Sequence, residues 1–244
     1  MNQTLTNTIG AALIITGTLT AQSAGAAERG FYVGVYYGQT DKASEEGPYV
    51  ALANRNYQSF GFNPQSTEDS FDAKDVSYGF FGGFRISEHW AVEGGFMELG
   101  EVAYKDVSTG VDHSQDQVDD TGSIDHSGDA IRTWDQQISS SSRGLSVAAL
   151  GIWPITYRSE IYAKGGIVLS NSELNIRLSN GTDSASNNPQ QKTSFDVLVG
   201  AGAAFTFAEI YSIRLEYQRI FDQGDESSDE HDMDILSLGV TVTF

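Results

Sequence analysis

Charged residues interrupt alternating runs that are otherwise mostly apolar or small, and five of them are of interest together: Arg85, Glu93, Lys164, Arg214 and Glu216. If one fold brings them to similar depth in an apolar interior, three cations and two anions make a bonded cluster. A charge left unpaired there would cost several kcal/mol. A second kind of chemistry is open to the acidic stretches Glu101–Asp135 and Asp222–Asp234. Carboxylates are hard oxygen ligands of the sort that hold Ca2+ or Mg2+. No calcium-loop spacing of the form Asp-x-Asp-x-Asp-Gly occurs in them, however, and glycine-rich nonapeptides are absent too. The acidic stretches therefore read as solvated, self-repelling surface loops, with extracellular ligands as the alternative use. No metal site is expected.

Other site chemistries are thin. The chain has no cysteine, which removes disulfide scaffolds, Cys-ligated zinc, iron–sulfur clusters and thiol nucleophiles. Of the four histidines, His89 falls in a tight turn, while His113, His126 and His231 fall in long connections. His126 is followed by Ser127, but neighbours in sequence are not a nucleophile–base pair. Phosphate loops, zinc motifs and redox pairs are missing, so neither catalytic residues nor a cofactor are expected. Fourteen basic residues against thirty-three acidic ones leave a formal charge of −19. That balance argues against a nucleic-acid groove, which needs a clustered basic surface.

The elements that must position these charges are strands. Glycine is 26 of 244 residues, proline only four, and Phe and Tyr together number 24. The mix is too aromatic for a disordered chain and too poor in Leu and Ala for a helix bundle. Residues 1–27 stand apart. Ile9 to Leu19 is an uncharged, mostly apolar run too short to span a bilayer, and it leads into a small-residue stretch offering cleavage after Ala26 or Ala27. This reads as a signal peptide, although no Lys or Arg precedes it. The mature domain then covers residues 28–244.

In that domain, period-two alternation recurs in eight segments: 31–38, 79–86, 90–96, 145–150, 161–169, 195–206, 211–218 and 236–244. The connections alternate strictly. Short ones at Ser87–His89, Trp153–Ser159 and Phe207–Glu209 separate long ones at roughly Asp41–Asp75, Glu98–Gln137, Asn171–Lys192 and Phe221–Asp232. In an up-and-down meander all the short turns fall at one end. An even strand count with short turns on one side and long loops on the other predicts an all-β, eight-stranded antiparallel transmembrane barrel, with short periplasmic turns and long extracellular loops. A bilayer admits only helices or closed barrels, because every buried peptide group must be paired. A soluble ligand-binding barrel would keep its apolar face inside, whereas here the second face holds the five charges, Asp196 and many glycines. Val33, Val92, Ile213, Leu215, Leu238 and Val240 are assigned to lipid. Trp90, Phe205, Tyr211 and Phe244 mark a lower aromatic girdle, and Tyr37, Phe96 and Tyr217 an upper one.

The runs Ile210–Gln218 and Ile235–Phe244 resemble the last two strands of the OmpA-like transmembrane domain. The pairs Ala149–Thr156 with Ile161–Gly166, and Gly79–Phe84 with Val92–Phe96, are similar to its earlier strands. The resemblance spans all eight strands. It implies an outer-membrane protein in contact with lipids and lipopolysaccharide, exported by its signal peptide in a Gram-negative envelope. The terminal Phe244 is similar to the mark by which the barrel-assembly machinery recognises such strands. A periplasmic peptidoglycan-binding domain is not implied, since the chain stops at Phe244. In this family a Glu–Arg pair closes the lumen and can exchange partners to open a small pore. Glu93 and Arg214 stand at the positions of that pair, and Ala149 and Ala204 at those of the exchange lysine and the second glutamate. The resemblance thus implies a structural or surface-interaction role with a plugged lumen. A narrow small-solute porin is the alternative, and a lipid-modifying enzyme the remote one.

Overall fold

The structure is a computed structural model describing residues 29–42, 46–113, 117–118, 124–125, 130–180, 184–186, 190–225 and 228–244. Side chains are described for all of these except 117–118, 124–125, 185, 190, 222–225 and 228–231. The signal-peptide expectation, His126 and the side chain of His231 lie outside the described set.

In chain order the elements are β1 (Gly30–Lys42), α1 (Glu46–Ser59), β2 (Phe62–Asp72), β3 (Lys74–Ser87), β4 (Trp90–Asp112), β5 (Gln117–Val118) and β6 (Ile124–Asp125). They continue as β7 (Ala130–Pro154), β8 (Ser159–Ser179), β9 (Ser184–Ser186), β10 (Gln190–Ala208), β11 (Tyr211–Asp225) and β12 (Ser228–Thr243). Eight of them, β1, β3, β4, β7, β8, β10, β11 and β12, pair in sequence order, each antiparallel to the next. The ring closes where β1 meets β12, from Tyr32 opposite Thr243 to Lys42 opposite Met233. Closure removes the unpaired edges that a bilayer would not tolerate. The three short turns lie at the end that carries both Gly30 and Thr243. One of them is pinned by the Ile155 N–H donating to the Ser159 carbonyl at 2.9 Å, and another passes through Glu209 at φ 52°.

Side-chain parity follows the expected alternation. Val33, Val92, Ile213, Leu215, Leu238 and Val240 all lie exposed on the outer wall, with Val35, Leu145, Val147, Ile167 and Val197. A continuous apolar belt of this kind has to be covered, and lipid covers it. Trp90, Phe205, Tyr211 and Phe244 fringe its lower margin, while Tyr37 and Tyr217 fringe its upper one. Phe96 is half-buried, stacked on Phe80 with ring centroids 5.6 Å apart.

Inside, glycines make room for rings. A methyl group on Gly34 would overlap the Phe81 ring, one on Gly83 the Tyr32 ring, and one on Gly202 the Tyr162 ring. Each inward aromatic therefore lies flat over a glycine of the neighbouring strand. This explains why one face of the strands is so rich in that residue.

The long connections are not loops for most of their length. β4 and β7 stay in register from Glu101–Ser141 out to Asp112–Ala130, and β8 follows β7 as far as Ser179 opposite Asp135. β2 adds to the outer part of β4, giving a sheet that stands above the membrane. It leaves the barrel at a bulge between Glu98 and Glu101, where Gly100 adopts φ +78°. The segment Asp41–Asp75, expected as a connection, contains α1. Tyr49, Ala53 and Tyr57 recur every four residues on one face of that helix. They pack against Phe62, Phe71, Tyr104, Trp134, Ile138 and Leu178 of the outer sheet, a second core separate from the barrel.

A buried cation sits where barrel and outer sheet meet. Lys42 lies five residues above Tyr37 and is 7% exposed; its Nζ donates to the Gly100 carbonyl at 3.2 Å and to Ser142 Oγ at 3.5 Å. Burial pushes its amine down to about 8, against the opposing pull of Asp75, Glu101 and Glu98. The folded state thus disfavours the charged amine, so the penalty is fully present below pH 8 and fades as pH rises toward the ordinary lysine value. The span of about 2.5 pH units corresponds to about 3 kcal/mol. Lys42→Met removes this titration. The stability of the variant minus that of the parent is expected to fall by about that amount between pH 7 and pH 10.5, measured by denaturant unfolding in micelles. A difference that stays flat with pH would show that Lys42 does not titrate as its burial requires.

Candidate functional site

Three strands bring two carboxylates and two cations together in the lumen. Glu93 comes from β4, Lys164 from β8, and Arg214 and Glu216 from successive inward positions of β11. Arg214 Nη1 lies 2.6 Å from Glu93 Oε1, and its Nη2 lies 2.9 Å from Glu216 Oε2. Lys164 Nζ is 2.6 Å from Glu216 Oε1 and 3.8 Å from Glu93 Oε2. Each carboxylate therefore faces both cations, and the ring is neutral as a whole. Two phenols complete it. Tyr32 donates to Glu93 Oε1 at 2.8 Å and Tyr162 to Glu216 Oε2 at 2.6 Å, while Arg214 Nε donates to the Tyr162 oxygen at 3.0 Å. The guanidinium is sandwiched between the rings of Phe81 and Tyr162, 4.7 and 4.6 Å from their centroids. Cation–π contact of this kind is strongest where both partners are desolvated.

Apolar layers lie on both sides of the ring. Toward the short turns are Ala91, Leu150, Ile152 and Ala204 with Phe81. Toward the outer sheet are Met97, Leu99, Val168, Leu198, Ile220 and Ile235, each almost fully buried. An eight-stranded barrel is only wide enough for its own side chains to fill. Here aliphatics share that width with buried Gln218, Ser237 and Ser170, and a cavity lined in part by Tyr36, Met97 and Gln218 lies beside the ring.

The model of the OmpA-like transmembrane domain matches residues 26–244. The chain belongs to this family. Among solved structures, the chain is similar to Neisserial surface protein A, with 13% identity, TM-score 0.43, and 91% of this chain and 100% of that one covered. It is also similar to Ail of Yersinia pestis in complex with the heparin analogue sucrose octasulfate (10%, TM-score 0.42, 90% and 100% covered). A third is the N-terminal β-barrel domain of Pseudomonas aeruginosa OprF (10%, TM-score 0.43, 89% and 100% covered). No curated protein matches the chain. As an OmpA-like barrel, the protein is placed in the outer membrane by its family.

Of the five residues singled out in the sequence, this OmpA-like barrel gathers Glu93, Lys164, Arg214 and Glu216. Arg85 stands apart, near the short turn between β3 and β4. Its Nη1 pairs with Glu160 at 2.8 Å and its Nη2 donates to the Glu88 carbonyl at 2.8 Å. Glu160, the first inward residue of β8, was hidden because the expected turn ran up to Ser159. Tyr32 and Tyr162 were also missed as members of the ring, although both alternate onto the glycine-rich face. Of the two family exchange positions, Ala149 points outward and Ala204 inward. Lys164 and Glu216 supply the second cation and second anion from other positions.

The acidic stretches divide. Asp106 and Asp112 are buried in the outer sheet. Asp106 accepts hydrogen bonds from the hydroxyls of Tyr57 and Ser108, and burial pushes its carboxyl up. Asp112 pairs with Arg132 at 3.1 Å. Near the upper rim Asp234 pairs with Arg219 at 2.7 Å, which holds its carboxyl down. Among the described residues, no three His, Asp or Glu side chains are placed to hold a metal ion.

Proposed function

We propose that this protein is a passive outer-membrane barrel whose lumen is plugged, and whose working surface is the sheet and helix standing above the membrane. The observation that carries the reading is the lodging of Arg214, which is gripped by Glu93 and Glu216 and sandwiched by two rings between apolar layers. The partner exchange that opens a pore in the family needs a second cation and anion that are free to trade. Here both carboxylates already face both cations. Neither catalysis nor a cofactor forms part of this reading. Residues 1–27 act as the cleaved export signal, Phe244 presents the last strand to the assembly machinery, and the apolar belt contacts lipid and lipopolysaccharide.

Planar-bilayer recording of the purified protein tests the plug. Little or no conductance is expected at moderate voltage. Sustained, large channels in the unmutated protein would overturn the plug and establish a small-solute porin instead.

A further inference from the structure

Above the barrel rim, β2 has a strand neighbour on one side only among the described residues. It pairs with β4 from Phe62 opposite Asp112 to Asp72 opposite Ala103. On its other side β1 would be the neighbour, but β1 ends at Lys42. The last contact there is the Lys42 N–H donating to the Ala73 carbonyl at 3.1 Å, beside the Asp41–Lys74 ion pair at 3.1 Å. The chain then enters α1, which packs on the inner face of the sheet through Tyr49, Ala53 and Tyr57 and does not extend the ladder. An eleven-residue strand, in which only Pro64 lacks a backbone N–H, thus keeps one edge of backbone groups open, and Gln65 to Ser70 are exposed.

We propose that this open edge captures an extended, cationic segment of another protein, adding it to the sheet as a further strand. Backbone pairing along an edge supplies affinity, and side chains supply the choice of partner. Three carboxylates, Glu68, Asp69 and Asp72, lie along β2, which has no cation. Asp106 and Asp112 of the paired stretch of β4 are buried and already partnered, so the charge presented at the edge is that of the three β2 carboxylates. A second copy of this chain laid edge to edge would set these carboxylates against their own kind, a destabilising arrangement. A strand bearing Lys or Arg meets complementary charge instead. The open length, about 36 Å at ~3.3 Å per residue, suits a segment of about ten residues. The proposal deepens the reading of the outer sheet as the working surface.

The test uses the full barrel in nanodiscs and a ten-residue peptide alternating Lys with Thr. Saturable binding is expected, weakening as salt is raised, with amide hydrogen exchange across residues 62–72 slowed at least tenfold. A peptide with Glu in place of Lys should not bind. One N-methylated at every second residue, on the side that would pair, should bind at least tenfold more weakly. Glu68→Lys with Asp72→Lys, both on the exposed strand, should weaken the Lys–Thr peptide several-fold. Binding that leaves exchange in β2 unchanged, or that tolerates N-methylation, would overturn strand addition in favour of loose charge attraction. Equal binding of the Glu peptide, or no binding of the Lys peptide, would overturn it outright. Channels in the bilayer recording would sink the plug and leave this result standing, so the two failures are distinguishable.

Discussion

Arg214→Met is expected to lower the stability of the barrel by about 3–5 kcal/mol, the usual cost of removing one partner from a buried ion pair. Methionine keeps much of the side-chain volume, so the loss is electrostatic and not a cavity effect. Glu93 would keep the Tyr32 hydroxyl and Lys164 at 3.8 Å, while Glu216 would keep Lys164 and Tyr162. The ring would then carry a net negative charge inside the buried lumen. Adding Glu93→Gln to Arg214→Met restores neutrality and should recover part of the loss, so the double variant is more stable than the single one. Urea or thermal unfolding in micelles gives both numbers, and conductance of the same samples reports whether the weakened plug leaks. An Arg214→Met barrel as stable as its parent, with a double variant no better, would mean that the ring contributes nothing to holding the lumen closed.

The second large effect concerns the outer wall. From β12 to the terminal Phe244 the outward residues are Leu236, Leu238, Val240, Val242 and Phe244, and Val240 is the middle one. It lies between Ile213 of β11 and Val35 of β1 in register, so it sits mid-belt. Val240→Arg should cost about 2–4 kcal/mol and reduce insertion, with Leu236→Arg, nearer the upper girdle, costing less. Thr241 points into the lumen, where its hydroxyl has no hydrogen-bond partner among the described residues. Thr241→Val should therefore leave stability almost unchanged. Heat-modified mobility on gels reports folding for all three. If Thr241→Val abolishes folding while Val240→Arg is silent, the inside and outside of the last strand are exchanged, because a one-residue slip reverses every side chain.

The eight strands were legible because lipid on one face and a packed lumen on the other impose period two, and because the spacing of turns alternates short with long. The same alternation placed Glu93, Lys164, Arg214 and Glu216 on one face. It lost its force above the membrane. There β4, β7 and β8 have water outside and α1 inside, so residues such as Asp106, Ser108 and Gln136 are buried on the face that carries Tyr104 and Ile138. Polar residues then occur on both faces, and the strands read as loops. The helix was missed for a related reason: Ala53 and the two tyrosines of its packed face find their apolar partners only in a sheet assembled from distant segments.

Sequence alone determined the strand count, the up-and-down order, which residues face lipid, and which charges point inward. These follow from local periodicity and connection length, which each segment carries by itself. Only the tertiary structure decided which charges share a level. The stagger of eight tilted strands is fixed when β1 closes on β12, and that stagger puts Lys164 beside Glu216 while leaving Arg85 to Glu160. Closure also decided that Tyr32 and Tyr162 lie flat over Gly83 and Gly202 and turn their hydroxyls onto the ring. Parity along one strand says which face a side chain takes, but depth between strands belongs to the closed barrel.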